Sequence, residues 1–190
     1  STFKKVYYDE LMQRAVSKFV PADDLVVPYT ATSLDDCETI IHTVRMTENE
    51  LRKQQVGGFY RDIEVNPTHL NETEAEKKER SLEGVSKGRD DRMFSILECH
   101  TDLDLEGFED VGEDGQPTGI KIPYIITLEE GTRKILSIRR NYEVGDPMKK
   151  KINYFVHFKF LPGLGFYGFG LLHMIGGLSR TATAALRQLL

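Results

Sequence analysis

The chain has 190 residues, of which 39% are hydrophobic and 29% are charged, and its formal net charge is −5. This length suits one domain or one and a half, and the negative charge argues against a surface that binds nucleic-acid phosphates by itself. The two cysteines, Cys37 and Cys99, fit no zinc or redox spacing, so we expect no disulfide framework and a reducing cytoplasm. No signal peptide is visible, and the longest apolar run, residues 166–175, is too short and too rich in glycine to cross a membrane.

The N-terminal part of the chain, residues 1–65, is predicted to contain a hairpin, a strand and a short helix. Alternating polarity over residues 14–20 favours the second arm of the hairpin. Residues 37–46 contain several β-branched side chains, which favour a strand. The sequence Thr47-Glu-Asn-Glu50 matches a capping box, in which each end residue bonds the backbone of the other, and it predicts the start of the helix.

The next part, residues 66–92, is dominated by charged residues. Pro67 stands at a predicted helix start, and residues 71–83 mix acids and bases with few apolar positions. We interpret this part as a solvated charged helix followed by a loop. The alternative interpretation is an arm that docks electrostatically on a partner.

The third part, residues 93–160, is predicted to form an antiparallel sheet. Strands are expected over residues 94–105, 120–128 and 134–142, with a hairpin turn at Glu129–Thr132. Because the strands follow one another through short turns with few crossover helices, the fold class is predicted as α+β rather than doubly wound α/β. The α+β fold would also contain the charged helix and a long, apolar C-terminal helix.

A last strand is predicted at residues 152–160, from the alternation of its side chains. Pro162 would end it, since proline cannot donate to a sheet ladder. One face of this strand is expected to carry Ile152, Tyr154, Val156, Phe158 and Phe160. The other is expected to carry Asn153, His157 and Lys159, and Phe155 is the exception to the pattern.

The final part, residues 161–190, reads as a loop of glycines and aromatic residues followed by a helix that begins near Gly168. Apolar residues recur at steps of four and three up to Leu189, which predicts one stripe that faces a partner. The last residues, 187–190, carry no capping signal, and we expect the chain to be a piece of a longer protein. The packing and interface candidates are Gly163, Gly165, Phe166, Tyr167, Gly168, Phe169, Leu171, Ile175, Leu178 and Leu186.

The loop from Gly163 to Gly168 spells GxGxxG after a strand and before a helix, as a dinucleotide-binding site requires. We instead interpret its glycines as residues that let the aromatic loop pack tightly. Its variable positions are bulky aromatics, where a pyrophosphate needs close approach to the backbone, and no second strand follows to supply a ribose-binding acid. Cofactors and metals are therefore not expected, although a nucleotide-binding enzyme that uses this loop stays as an alternative.

Four polar residues, Glu98, His100, Asp102 and Asp104, alternate along one predicted strand and would share a face. Such a set could form a metal site or an acid–base pair. We favour the solvent face of a half-buried strand, since no other ligand-rich stretch is seen to converge on it. The remaining histidines at 42, 157 and 173 are scattered and are interpreted as core or interface residues.

No nucleophile elbow, P-loop or HExxH motif is found, and the sequence supports no enzyme assignment. A small basic patch is formed by Arg139, Arg140 and residues 149–151. This patch would either contact phosphates or offset the negative charge of the acidic loops, and the second role is the commoner one.

Three stretches of the chain resemble portal proteins of tailed bacteriophages, of the short-tailed phage type. They are YFVHFKFLPGLGFYGFGLLHMIGGLSRTATAALRQLL at the C-terminal end, FVPADDLVVPYTATSLDDCETIIHTVRMTENELRK near the N-terminal end, and ILSIRRNYEVGDP before the last strand. The charged stretch 66–92 is the least similar part. The resemblance would place the chain in the peripheral wing region of a longer subunit.

This resemblance implies a structural protein without catalytic residues, assembled into a ring that usually has twelve subunits. Such a ring sits in the virion at one capsid vertex after assembly in the host cytoplasm. It passes double-stranded DNA during packaging and ejection without reading its sequence. The implied partners are other portal subunits, terminase, capsid or scaffold proteins and tail adaptors, with no membrane. Another virion component, such as a tail or adaptor protein, is the second alternative.

Overall fold

The computed structural model describes residues 2–9, 13–66, 93–112, 114–163 and 165–189, together with Lys78, Ser81 and Leu82. The elements whose bounds are described are two helices and the strands of two antiparallel sheets, so the predicted α+β class is confirmed. The strands are β1 (Thr2–Asp9), β2 (Arg14–Val20), β3 (Leu25–Val26), β4 (Thr39–Thr47), β5 (Met93–Leu103), β6 (Ile122–Glu129), β7 (Ile135–Arg140) and β8 (Phe155–Phe158). The helices are α1 (Glu48–Val56) and α2 (Leu171–Leu189), and a short 3-10 turn covers Ala22–Asp24.

The strands form one sheet in the order β2-β1-β8 and another in the order β3-β4-β5-β6-β7. The chain divides into two compact units, and the division falls within β4. We call residues 1–40 with 152–190 the terminal unit, and residues 41–151 the central unit.

The terminal unit is built on the three-stranded sheet. The predicted hairpin is formed by β1 and β2, and it places Phe3 opposite Val20, while β8 adds His157 on the other side of Phe3. Burial of large apolar side chains is the main favourable term in such a small core. The buried cluster consists of Phe3, Val20, Leu25, Ala31, Leu34, Cys37, Ile40, Phe155 and Phe166.

The predicted alternation of side chains is present in β8. The residue that contacts the core, however, is Phe155, the exception in the predicted pattern. Phe155 is buried at 4% exposure, whereas Val156 and Phe158, on the opposite face, are 45% and 48% exposed. Antiparallel pairing of β8 with β1 fixes this choice, because Phe155 and His157 share a face with the fully buried Phe3.

The central unit has its own core under the larger sheet. It contains Met46, Leu51, Phe94, Ile96 and Leu136. The predicted capping box begins α1: the Thr47 hydroxyl accepts from the Glu50 amide at 3.3 Å, and the Glu50 carboxylate accepts from the Thr47 amide at 2.9 Å. Leu51 then carries the buried side of this short helix.

The predicted turn at Glu129–Thr132 connects β6 to β7. Glu129 is fully buried, and its carboxylate accepts hydrogen bonds from the Gly131 amide at 2.7 Å and from both the amide and the hydroxyl of Thr132. A buried carboxylate is tolerated when such donors compensate its lost hydration. The turn therefore depends on one acidic side chain.

The predicted charged helix at 71–83 lies outside the described residues, except for three positions. Lys78, Ser81 and Leu82 are helical and exposed.

Candidate interaction surface

The loop of glycines and aromatic residues is closed by its own backbone. Leu161 and Phe169 form an isolated antiparallel bridge, and the Phe169 amide donates to the Leu161 carbonyl at 2.9 Å. The two ends of the GxGxxG sequence are thus held together beside the start of α2.

Gly168 needs to be glycine for this closure. Its φ is +66°, and a Cβ there would lie 2.7 Å from the Leu161 carbonyl oxygen. A Cβ at Gly163 would meet the Phe169 ring at 2.6 Å, and Gly165 has a φ of +107°. Only glycine adopts such backbone conformations at little cost. The positive φ at Gly168 also explains why the helix begins at Leu171 and not near Gly168 as predicted.

This geometry favours the packing interpretation of the loop over a phosphate cradle. The Leu161 carbonyl points at the loop, and a carbonyl oxygen repels an anion. The Gly170 amide donates to Nδ1 of His173 at 3.3 Å, so another amide near the helix start already has an acceptor. A phosphate site at a helix N-terminus requires amides that are directed at the ligand. His173 itself is exposed and is not a core residue.

Phe166 anchors the loop in the terminal core. The His157 imidazole contacts two rings, with centroids 4.4 Å from Phe3 and 4.8 Å from Phe166, and these two rings lie 5.9 Å from each other. Tyr167 packs edge-on against Phe166 at 5.0 Å. Burial and the positive charge of Lys159 lower the pKa of His157. A neutral imidazole inside an aromatic stack is a packing residue, as the sequence analysis expected for His157.

Apart from Gly165, which is exposed and has a positive φ, the interface candidates fall into two groups. Gly163, Phe166 and Gly168 serve packing within the terminal unit. The second group has exposed side chains and comprises Tyr167, Phe169, Leu171, Ile175, Leu178 and Leu186.

Helix α2 is amphipathic rather than apolar on all sides. Its apolar stripe includes Leu171, Ile175 and Leu178, and the last of these is 72% exposed. Arg180 and Arg187, seven residues apart, share the opposite face. Within the described ranges, no helix is long and apolar enough to span a membrane.

A second exposed apolar surface, which the sequence analysis missed, lies on the outer face of the three-stranded sheet. We call it the outer sheet face, and each of its members is more than 40% exposed: Val6, Tyr8, Phe19, Val156 and Phe158. Strand register places them on one side, opposite the core residues Phe3 and Phe155. The sequence signal for this surface was the alternation of side chains in residues 4–8 and 155–158. Alternation, however, does not show which face of the sheet packs in the core.

The prediction that Glu98, His100, Asp102 and Asp104 form a solvent face is wrong for the first three of them. His100 is 2% exposed and Glu98 is half-buried, because they follow Phe94 and Ile96 on the face that packs in the central core. Asp102 is half-buried and only Asp104 is exposed.

A third residue, His42 of β4, converges on this pair, which the sequence analysis did not expect. Its Nδ1 lies 3.3 Å from one Glu98 oxygen, while the other Glu98 oxygen lies 3.4 Å from Nε2 of His100. The carboxylate of Glu98 thus lies within polar contact distance of both imidazoles. We call these three residues the His-Glu-His cluster.

Neighbouring groups respond to the Glu98 charge. Burial first, and Glu98 second, raise the pKa of the Tyr60 phenol, while Arg139 acts in the opposite direction. Burial and Glu98 also raise the pKa of the Cys99 thiol. The part of the chain that the structure describes contains no group of three His, Cys, Asp or Glu side chains suited to a metal ion. The contacts and burial of His42, Glu98 and His100 make the His-Glu-His cluster a polar network inside the central unit.

Two members of the predicted basic patch have defined roles. The Arg139 guanidinium lies 3.5 Å above the Phe59 ring, and Lys149 pairs with Asp110 of the acidic loop between β5 and β6. The second contact agrees with the interpretation that this patch balances the acidic loops.

No family model matches the chain, and no curated protein matches it significantly.

Proposed function

We propose that the chain is the wing-like region of a structural subunit in a phage portal ring and is not an enzyme. The exposed apolar surface of the terminal unit carries this proposal. Helix α2 and the outer sheet face both expose large apolar side chains, and soluble monomers rarely expose several such residues together unless a partner covers them.

The resemblance to portal proteins suggests which assembly this is, and the chemistry of the described residues is compatible with it. A portal subunit needs surfaces for its neighbours and a conduit that does not grip DNA. The chain's charge of −5 and its exposed acidic loop suit a conduit of this kind. Terminase, capsid or scaffold proteins and tail adaptors are the partners that this function requires, and the virion is its location.

The nucleotide-binding alternative has less support, because the loop glycines are already explained by the Leu161 and Phe169 contacts. A tail or adaptor protein would also need exposed apolar surfaces, so these surfaces do not separate it from a portal.

Electron microscopy of the intact protein tests the proposal. We expect rings with a central hole that are lost or reduced when Phe19 and Phe158 are both replaced by serine. A persistent monomer that hydrolyses ATP or GTP would contradict the proposal, as would NAD or ATP binding that Gly165→Val abolishes. Rings that also join a separately expressed terminase would separate a portal from an adaptor.

A further inference from the structure

We propose that the open edge of β2 binds an extended, acidic segment of another protein as an added strand of the three-stranded sheet. The inference rests on the strand pairing of the terminal unit and goes beyond the proposed function. In a contact of this kind, main-chain hydrogen bonds supply affinity and alternate side chains supply specificity. If the contact fails its test, the proposed portal role is unaffected.

The pairing of β1 shows which backbone groups of β2, the outermost strand, face outward. The Val6 amide donates to the Tyr154 carbonyl at 2.7 Å, on the β8 side of β1. Because backbone groups alternate in direction along a strand, those of Lys5 point at β2, where Lys18 is its partner. The N–H and C=O groups of the alternate β2 residues therefore point away from the sheet. These residues are Ala15, Ser17 and Phe19.

This edge is open, whereas the other long edges are contacted. Within the described ranges, the outward backbone groups of β2 bond no protein group. At β7 the Arg61 amide donates to the Leu136 carbonyl at 2.8 Å. At β8 the outward Phe155 amide donates to the Asn153 side chain at 3.0 Å. With seven residues, β2 is the longest edge strand in the described part of the chain and the one left open.

The basic side chains of this edge favour an acidic partner. Lys5 and Lys18 are directly opposite each other, and their ammonium groups lie 5.7 and 5.9 Å from the centroid of the Tyr7 ring. Like charges in such a cross-strand pair are destabilising. Lys18 is exposed and forms no ion pair with a described residue. A carboxylate opposite Lys18 on an added strand would share its face and offset the repulsion.

The hairpin of β1 and β2 is basic within an acidic chain. Its described residues, 2–9 and 13–20, carry four basic side chains and one acid, although the net charge of the chain is −5. A second copy of β2 would bring Arg14 and Lys18 to the same edge, so like charge opposes the pairing of two copies. An acidic strand from a different protein meets no such repulsion and is attracted to the hairpin.

The second face of an added strand would extend the outer sheet face. Ser17 and Phe19 carry their side chains on that face, and Phe19 is 64% exposed. Residues opposite these two would lie beside Phe19, so apolar side chains at those positions would gain buried area. The segment that fits is therefore one in which acids and apolar residues alternate, with the acids on the Lys18 side.

Binding of a designed peptide tests the edge. A fluorescein-labelled peptide that alternates glutamate and valine, and is as long as β2, is titrated into the 190-residue chain by fluorescence anisotropy. Ser17→Pro removes one outward N–H and no bond to β1, since proline is tolerated on the solvent side of an edge strand. We expect Ser17→Pro to weaken binding about tenfold or more. Ser17→Ala keeps the N–H and is the matched control, which should bind as the wild type does.

Charge reversal tests the acidic preference. Lys18→Glu replaces a like-charge pair with an opposite one, so the hairpin should stay folded. We expect this variant to bind the glutamate peptide about tenfold more weakly and to bind a peptide with lysine in place of glutamate. Lys53→Glu, the same change on the exposed side of α1, should keep the preference of the wild type.

Amide hydrogen exchange locates the bound strand. The peptide should slow exchange at Ala15, Ser17 and Phe19, whereas the amides of Val16 and Lys18 already bond β1 and should change little. This alternation identifies strand addition, because a peptide that lies across the outer sheet face would not produce it. Methylation of the peptide's own amide nitrogens should abolish binding, and it gives the same test if Ser17→Pro does not fold.

Several outcomes would overturn the inference. They are a lack of binding by the glutamate peptide, or binding that Lys18→Glu or peptide methylation leaves unchanged. Slow exchange at Ala15, Ser17 and Phe19 that grows with protein concentration, without peptide, would assign the edge to a second copy. Binding of single-stranded DNA that Lys18→Glu loses and Ser17→Pro keeps, with no peptide binding, would assign the lysines to nucleic acid.

Discussion

The imidazole of His157 stacks on the ring of Phe3 with a centroid distance of 4.4 Å. Phe166 also contacts the imidazole, at a centroid distance of 4.8 Å, and the Lys159 ammonium is close enough to act on it. The sequence-distant ends of the terminal unit thus meet around one titratable ring.

This contact makes the stability of the chain depend on pH. The pKa of His157 is lowered from 6.5 in the folded state, chiefly by burial, so the unfolded chain binds the proton more strongly. The stabilising effect of neutral His157 is complete above about pH 6.5 and is lost as the pH falls through the folded pKa. Urea unfolding at several pH values should therefore show a fall in stability below about pH 6.5.

The substitution His157→Phe should remove this part of the pH dependence, because it keeps an aromatic ring in the stack and cannot be protonated. Val156→Thr, on the exposed side of the same strand, is the matched control and should leave the dependence unchanged. An equal fall in stability for the wild type and His157→Phe would contradict the assignment to His157.

Gly168→Ala should destabilise the terminal unit by about 1–3 kcal/mol, because it combines a left-handed φ with a contact to the Leu161 carbonyl. Gly163→Ala should cost less, since the Phe169 side chain that it meets is exposed and can move. Gly177→Ala, which meets no atom within 4 Å, is the control and should not destabilise. Thermal unfolding ranks the three, and equal effects of Gly168→Ala and Gly177→Ala would refute the role of Gly168.

Glu129→Ala should lower the free energy of unfolding by about 2–3 kcal/mol, because three donors in the β6–β7 turn lose their charged acceptor. Glu129→Gln should lose less, since its carbonyl oxygen still accepts. The exposed neighbour provides the control: Glu130→Ala should stay within about 0.5 kcal/mol. Denaturant unfolding measures all three, and a neutral Glu129→Ala would show that the turn does not depend on this carboxylate.

Glu98→Gln should lower the pKa of the Cys99 thiol, because the Glu98 charge is the second cause of its raised value after burial. The pH dependence of alkylation by iodoacetamide reports this pKa, and a Cys37→Ala background leaves Cys99 as the reacting thiol. A shift in the midpoint pH of alkylation indicates an electrostatic effect on the Cys99 thiol. A change in the rate alone would indicate greater exposure of the thiol. Glu38→Gln, a change of the same kind elsewhere in the chain, should leave the midpoint in place.

Phe155→Ala should cost about 3–5 kcal/mol of stability, as expected for a large side chain removed from a core. Phe158→Ala, three residues further along the same strand, should change the stability of the isolated chain by much less, because its ring is about half exposed. If the outer sheet face contacts a neighbouring subunit, Phe158→Ala should instead weaken assembly of the intact protein. Electron microscopy and chemical denaturation of both variants separate the two roles.

Local features of the sequence determined much of the secondary structure. The capping box at Thr47 and Glu50, the turn after Glu129 and the N-terminal hairpin depend on residues close together in the chain, so their patterns can be read without a tertiary fold. Glycine spacing likewise indicated that the loop at 163–170 is packed tightly.

Tertiary structure alone decided which faces are covered. Alternation along β5 and β8 shows that each strand has two unlike faces, but burial depends on residues that are distant in sequence. His42 turns Glu98 into the centre of a buried cluster, and Phe3 with Phe166 draws Phe155 and His157 inward. Val156 and Phe158 remain outside despite their apolar side chains, because the pairing register of β8 with β1 commits the opposite face to the core.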